Sequence, residues 1–333
     1  MRNGKVLVVA GSGNVATETN FRAAVWDPVA DTIVTQPVAW DMFCNGMVVL
    51  SDGRVLVNGG TLQYDPFHGE PRNSVYDPAT GLFTDVQNMA HGRWYPTVTT
   101  LGDGRVMTFS GLSETGSTNT AVEIYTPGTG WSQEFAAGWT PPLYPRMHLM
   151  TDGRVFYSGS GTGSRIFNRS TNTWSGVVAT TNYANTRTYG TSVLPLTPAN
   201  GYTPRVMIFG GGNPATATTE IINLSASPLQ WTFGPSMSQA RIEMNATILP
   251  NGKVLAMGGS VNDEDAATAS RNADLYDPAT NTFSSAGVNA FPRLYHSGSL
   301  LLPDATVALV GGNPSRGSYE QHIEIYSPAT CSI

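Results

Sequence analysis

The residues best equipped for chemistry stand at a repeated interval. A turn of the type Asp-Gly-Arg-Val or Asn-Gly-Lys-Val recurs about every 50 residues. Eight positions before its Asp or Asn lie Cys44, Tyr95, Glu243 and His296, with Tyr295 beside the last. Taken singly, each has an ordinary use. A lone cysteine in a β-protein is usually a small buried hydrophobe, a tyrosine can pack with its hydroxyl tied off, and a histidine can be a hydrogen-bonded core residue. At matched positions in successive repeats they can converge on one axis. Two phenols and an imidazole then make an oxygen-and-nitrogen donor set that suits Cu(II) better than zinc. An Arg-x step precedes most of these positions, at Arg93, Arg187, Arg241 and Arg293, and Arg146 stands likewise before His148. Such arginines fit a structural role, pairing with backbone carbonyls or with acids between repeats.

The elements that must position these side chains are legible in the repeat. The turns begin at Asn3, Asp52, Asp103, Asp152 and Asn251, with a degenerate copy at Asp304 and Thr203-Pro204-Arg205-Val206 filling the remaining slot. Asn-Gly and Asp-Gly supply the positive φ that a tight β-hairpin requires. Each hairpin runs into a small-residue stop, such as Gly59-Gly60, Gly210-Gly211-Gly212 or Gly258-Gly259. A third strand then ends in aromatic-x-Pro, as at Tyr76-Asp77-Pro78 and Tyr276-Asp277-Pro278, and a short fourth strand carries Phe83, Trp131, Trp174, Trp231 or Phe283. Four strands per repeat, seven repeats and no helical periodicity predict an all-β, seven-bladed kelch-type β-propeller. The first strand of each blade would line the central channel.

We read residues 1–333 as a single propeller whose first and last blades are truncated: the first copy starts at its hairpin turn, and the last ends just past its third strand. An open ring leaves sheet edges to cover, so the chain reads as a shortened version of something longer. The basic-then-apolar start, Arg2 to Ala10, is too short for a leader and reads as a turn and a strand. No apolar run approaches the roughly 18 residues of a membrane helix. Only 13% of residues are charged, the net charge is −6, and Lys5 and Lys253 are the only lysines, which argues against a nucleic-acid surface. Two cysteines, Cys44 and Cys331, make at most one bridge; Cys331 has no matched position and reads as incidental.

Asp41-Met42-Phe43-Cys44, Arg93-Trp94-Tyr95-Pro96 and Arg293-Leu294-Tyr295-His296-Ser297 together resemble the galactose oxidase and glyoxal oxidase family of copper radical oxidases. Gly92-Arg93-Trp94-Tyr95 is closer to the glyoxal oxidase branch. The resemblance implies a seven-bladed catalytic domain that oxidises a primary alcohol or an aldehyde hydrate with O2 and releases H2O2. It implies copper as cofactor, a self-processed Cys44–Tyr95 thioether, and Tyr95 as both radical site and metal ligand. Tyr295 becomes an axial ligand and base, and His296 an equatorial ligand. The partners implied are a small alcohol or aldehyde and O2, with no nucleic acid and no membrane, and an extracellular setting for the full-length parent.

Three departures accompany the resemblance. The family's second histidine ligand belongs to a further domain that this chain lacks; of the remaining histidines only His148 is placed near the axis. The indole that stacks on the family's cross-linked tyrosine has no counterpart in Gly111-Leu112-Ser113-Glu114, which leaves Trp94 and Trp40 as candidates that also read as packing residues. The family's N-terminal segments and secretion signal are missing. The competing reading is a non-catalytic kelch propeller serving as a binding or scaffold module. A weaker one is a carbohydrate-binding module built on loop aromatics such as Tyr64, Phe67 and Tyr183. Asp263, Glu264 and Asp265 read as a solvated turn.

Overall fold

In the computed structural model, which describes residues 1–328, the sequence pattern becomes seven consecutive antiparallel sheets, the blades of a seven-bladed β-propeller. Blade I holds Val6–Gly11, Arg22–Asp27 and Thr32–Pro37; blade II holds Gly46–Val49, Val55–Asn58, Asn73–Asp77 and Leu82–Val86. Blade III is built on Thr97–Thr100, Val106–Phe109 and Ala121–Thr126, and blade IV on Arg146–Leu149, Val155–Gly159 and Gly163–Asn168, each closed by short outer strands. Blade V runs Thr191–Val193, Arg205–Phe209, Thr219–Asn223 and Trp231–Phe233. Blade VI runs Ile242–Ile248, Val254–Ser260, Asn272–Asp277 and Thr282–Val288, and blade VII holds Ser297–Leu301, Val307–Gly311 and Glu324–Tyr326. Among the described residues the only helical pieces are two single 3-10 turns, Pro198–Asn200 and Ala266–Thr268. Among the described residues the first and last blades carry three strands each. Cys331 lies outside the described residues.

Burial explains the strand composition. The second strand of each of blades II to VI is almost wholly buried, which is why Val55–Asn58 or Val254–Ser260 reads as a continuous run rather than an alternation. The outer aromatics Phe83, Trp131, Trp174, Trp231 and Phe283 all sit on fourth strands.

The chain divides into two compact units. One comprises Met1–Phe156 with Phe167–Trp174, the other Tyr157–Ile166 with the chain from Ser175 onward. In the first, Leu101, Met107, Phe109, Val122, Ile124, Val155 and Phe167 form one apolar cluster, and Leu50, Leu56, Val75, Met89, Val106, Tyr125 and Trp131 another. In the second, Val193, Met207, Phe209, Met244, Val254 and Tyr276 pack together, as do Leu249, Leu255, Met257, Val307 and Leu309.

The glycine stops follow from close approach. A Cβ at Gly59 (φ +70°) would come 2.2 Å from the carbonyl oxygen of Arg93. The next residue, Gly60, donates its N–H to that same oxygen at 2.9 Å. Gly210 and Gly211 repeat the arrangement against the Arg241 carbonyl, at 2.4 Å for the hypothetical Cβ and 2.9 Å for the hydrogen bond. The stop is therefore where the backbone of one blade passes the arginine step of the next.

Those arginines are the anchors the sequence suggested, with one refinement: each acid comes from the third strand of the arginine's own blade. Arg93 is fully buried and pairs with Glu123 at 3.0 Å while donating to the carbonyls of Ser110 and Ala121. Arg187–Glu220 (3.0 Å), Arg241–Asp274 (2.7 Å) and Arg293–Glu324 (2.9 Å) are the counterparts.

Candidate active site

At or just before the start of a first strand, close behind the anchor arginine in blades III, V, VI and VII, the chain does something unusual. Cys44 (φ 63°), Tyr95 (φ 65°), Tyr144 (φ 45°), Tyr189 (φ 52°), Glu243 (φ 58°) and His296 (φ 63°) all occupy the left-handed region. None is a glycine, and such a conformation costs a side-chain-bearing residue on the order of 1–3 kcal/mol. Hydrogen bonds join these residues from blade to blade within each unit. Tyr95 N donates to Cys44 O (3.0 Å), Tyr144 N to Tyr95 O (3.0 Å), and Glu243 N to Tyr189 O (2.7 Å). Six of the seven blades thus carry one left-handed, side-chain-bearing residue at the start of the blade.

In the first unit Cys44 is buried, 8% exposed, and free of any disulfide. Its thiol is hydrogen-bonded to the Tyr95 side chain; burial pushes the thiol pKa well up, that bond pulls it partly back, and Asp41 adds to the rise. Tyr95 sits in an aromatic stack. The Trp94 indole lies 3.8 Å from it, centroid to centroid, at an interplanar angle of 15°, and Tyr144 lies at 4.4 Å and 24°. Phe67 continues the stack beyond Trp94 at 4.3 Å and 18°, with Tyr64 tilted against it at 5.3 Å. Two backbone hydrogen bonds between Trp94 and Leu112 hold the indole's peptide. The left-handed turn at Tyr95 is what allows two sequence neighbours to stack instead of pointing apart. The stacking group is therefore Trp94, while Trp40 packs in the core with Met42 and Val57.

In the second unit Tyr295 and His296 are adjacent, their ring centroids 3.8 Å apart, and Tyr189 lies 5.2 Å from Tyr295 with a side-chain hydrogen bond between them. His296 Nδ1 lies 2.6 Å from Asn313 Oδ1, and the Asn313 amide nitrogen donates to Ser318 O at 2.5 Å. That second bond orients the amide with its oxygen towards the imidazole, so Nδ1–H donates to Asn313. Burial, outweighing the Asn313 bond, lowers the imidazole pKa and favours the neutral, ligating form. Glu243 Oε2 accepts from Tyr295 N at 3.1 Å and from Glu264 N at 3.4 Å. Burial first, and then Asp263 beside it, push the Glu243 carboxyl up to about 9.

His148 is placed differently from the expectation. The left-handed residue of blade IV is Tyr144, and Arg146 follows it on the first strand instead of preceding it. His148 therefore stands four residues along the strand, about 13 Å by strand rise, from the position that the other blades use. Burial, with Arg146 as a lesser contributor, drops its pKa to about 4. The loop aromatics are engaged internally: Tyr64 and Phe67 belong to the stack, the Tyr64 hydroxyl bonds Ser12, and Arg187 lies over Tyr183 at 4.7 Å.

Tyr144 is the residue missed from sequence, whereas Tyr189 follows the Arg187-Thr188 step but stands outside the candidate set read from the eight-residue interval. Tyr144 obeys the same eight-residue interval before Asp152, but alignment on Arg146 hid it. Tyr189 lies further from its turn because blade V carries an insertion containing Pro198–Asn200.

With a propeller of strained, chemically capable residues defined, comparison with known proteins places the chain. Residues 12–330 match the family described as glyoxal oxidase N-terminus. The chain belongs to that family, within the galactose oxidase and glyoxal oxidase group of copper radical oxidases. It is 27% identical to a galactose oxidase of Gibberella zeae over 91% of this chain and 48% of that protein. It is 26% identical to the aldehyde oxidase GLOX of Vitis pseudoreticulata, over 86% of this chain and 60% of that protein. A fungal alcohol oxidase of the AA5 family, solved in complex with copper, shares the fold with a TM-score of 0.79 at 21% identity, over 97% of this chain and 71% of its own. The chain spans about half the length of the galactose oxidase it matches.

Proposed function

We propose that this chain is the catalytic propeller of a copper radical oxidase that converts a primary alcohol to an aldehyde, or an aldehyde hydrate to an acid, with O2 reduced to H2O2. The observation that carries the reading is the buried Cys44 thiol hydrogen-bonded to a tyrosine that is itself stacked on both faces. The donor set suits copper: two phenols and a neutral imidazole, in a chain whose described residues hold no cluster of three His, Cys, Asp or Glu side chains. Tyr95, Tyr295 and His296 would hold the metal, which when bound supplies one-electron redox chemistry and Lewis acidity.

This chain's residues would do the rest. Cys44 Sγ forms a C–S bond to the Tyr95 ring, and the S–H and ring C–H hydrogens pass to O2. Sulfur substitution and the Trp94 stack lower the potential of the Tyr95 phenol, so that it can be oxidised by one electron and hold the resulting radical. Tyr295 takes the substrate's hydroxyl proton, with Tyr189 hydrogen-bonded to it as the next group in line. Asn313 keeps the His296 tautomer fixed, and Glu243 holds the Tyr295 peptide. An extracellular setting, where copper and O2 are available, is part of the same proposal.

A peroxidase-coupled assay of copper-loaded protein against primary alcohols and aldehydes tests it. H2O2 release abolished by Tyr95→Phe and by Tyr295→Phe is the expected result. Release unchanged in Tyr95→Phe would contradict the assignment.

A further inference from the structure

One cleft of the second unit lies where the proposed oxidation chemistry uses nothing. It holds about 460 Å³ between blades V and VI. Tyr189 precedes the first strand of blade V and Glu243 is the second residue of the first strand of blade VI, so both lie at the opposite end of the strands from the hairpin turns. Arg205 opens the second strand of blade V, directly after its turn, and Tyr276, near the end of the third strand of blade VI, pairs with Val254 beside that blade's turn. The cleft therefore opens at the hairpin end.

Strand register explains its lining. Arg205 pairs with Asn223, and two residues on Met207 pairs with Ile221, so these four project from one face of blade V. Met207 and Ile221 make an apolar floor, and Arg205 and Asn223 lie nearer the turn. Gln230 and Phe233 come from the fourth strand and its approach, and Phe233 remains 56% exposed. Asn281 reaches in from blade VI, where its Oδ1 takes the Tyr276 hydroxyl at 3.0 Å.

The polar groups are only partly used. Asn223 Oδ1 caps Ser225 N at 3.0 Å, which leaves its amide N–H2 available, and the Asn281 Oδ1 bond leaves the same for that residue. Asn200 Oδ1 is buried with no hydrogen-bond partner. No carboxylate lines the cleft, and no ion pair is formed by Arg205 among the described residues. Donor and acceptor amides, an exposed aromatic face and one uncompensated guanidinium are what a sugar ring carrying a carboxylate requires. The amides match hydroxyls that both give and accept, the ring face covers the sugar's C–H face, and the guanidinium matches a carboxylate in fork geometry.

We propose that this cleft is a binding site for uronate-containing oligosaccharides, separate from the oxidation site. It stands whether or not the chain is an oxidase.

Calorimetric titration with a galacturonate trisaccharide and with the corresponding neutral galactose trisaccharide tests it. The uronate should bind at least tenfold more tightly. Arg205→Gln should erase that preference, and Phe233→Ala should weaken the uronate at least tenfold; both side chains are exposed, and an unchanged melting temperature certifies the fold. Cys44→Ser should bind as the parent does, which separates this site from the oxidase reading. No heat with either sugar, equal binding of the two, or a preference that survives Arg205→Gln would overturn the proposal.

Discussion

At the scale of single residues the molecule accepts local cost in order to aim side chains. Cys44, Tyr95 and His296 occupy a backbone region that disfavours any Cβ, and the buried pairs Arg93–Glu123 and Arg293–Glu324 brace the chain beside Tyr95 and His296. Removing one partner strands the other charge without water, at a cost of about 3–5 kcal/mol. Arg93→Met should therefore lower unfolding stability by that amount in a denaturant titration, because Glu123 keeps its burial and loses its cation. A loss under about 1 kcal/mol would show that the pair is dispensable. A surface pair gives the pH-dependent case. Glu114, bonded to His91 Nδ1 at 2.7 Å, raises the imidazole pKa above its ordinary 6.5. A folded pKa above the unfolded one means that the pair's stabilisation is fully present below about pH 6.5 and fades as pH rises through the folded value. NMR titration should find the His91 midpoint above 6.5, returning to the ordinary value in Glu114→Gln.

At the scale of elements, the loop before each first strand is the working unit, and the glycine stop of the preceding blade is its mould. Gly59 has both a positive φ and a backbone oxygen where its Cβ would go. Gly59→Ala should cost about 3 kcal/mol or more, and it should also disturb the Arg93–Tyr95 backbone. Near-ultraviolet circular dichroism, which reports the Trp94–Tyr95 stack, should change with it. A variant that loses stability but keeps that spectrum would show that stop and stack are independent. Trp94→Ala should leave the strands intact and raise the potential at which Tyr95 is oxidised, read by voltammetry; an unmoved potential would remove the indole from the tuning role.

At the scale of the whole molecule, metal linkage is the accessible observable. A ligand that binds only the folded state stabilises it by RT ln(1 + [L]/Kd), about 2.7 kcal/mol at a hundredfold excess over Kd. Cu(II) should therefore raise the melting temperature, a chelator should reverse the rise, and His296→Ala should reduce it. Much of this architecture was legible in the sequence. Turn dipeptides and glycine stops are set by local φ requirements, so blades and strands could be placed from them, and the Cys44, Tyr95 and His296 positions followed from a fixed interval to the turn. What escaped depended on contacts between distant segments. Trp94 as the stacking group needed the left-handed turn at Tyr95, Tyr144 was masked by an arginine that fell on the wrong side of it, and an insertion in its hairpin set Tyr189 off the interval. His148 was misplaced for the same reason as Tyr144.

The most direct measurement is peptide mass spectrometry of the chain after aerobic copper loading and tryptic cleavage. Formation of the sulfur–carbon bond should join the peptide of residues 23–54 to that of residues 94–105, with a combined mass two hydrogens short of their sum, and Cys44→Ser should abolish the joined species. Recovery of both peptides separate and at full mass, with Cys44 still alkylatable, would contradict the account.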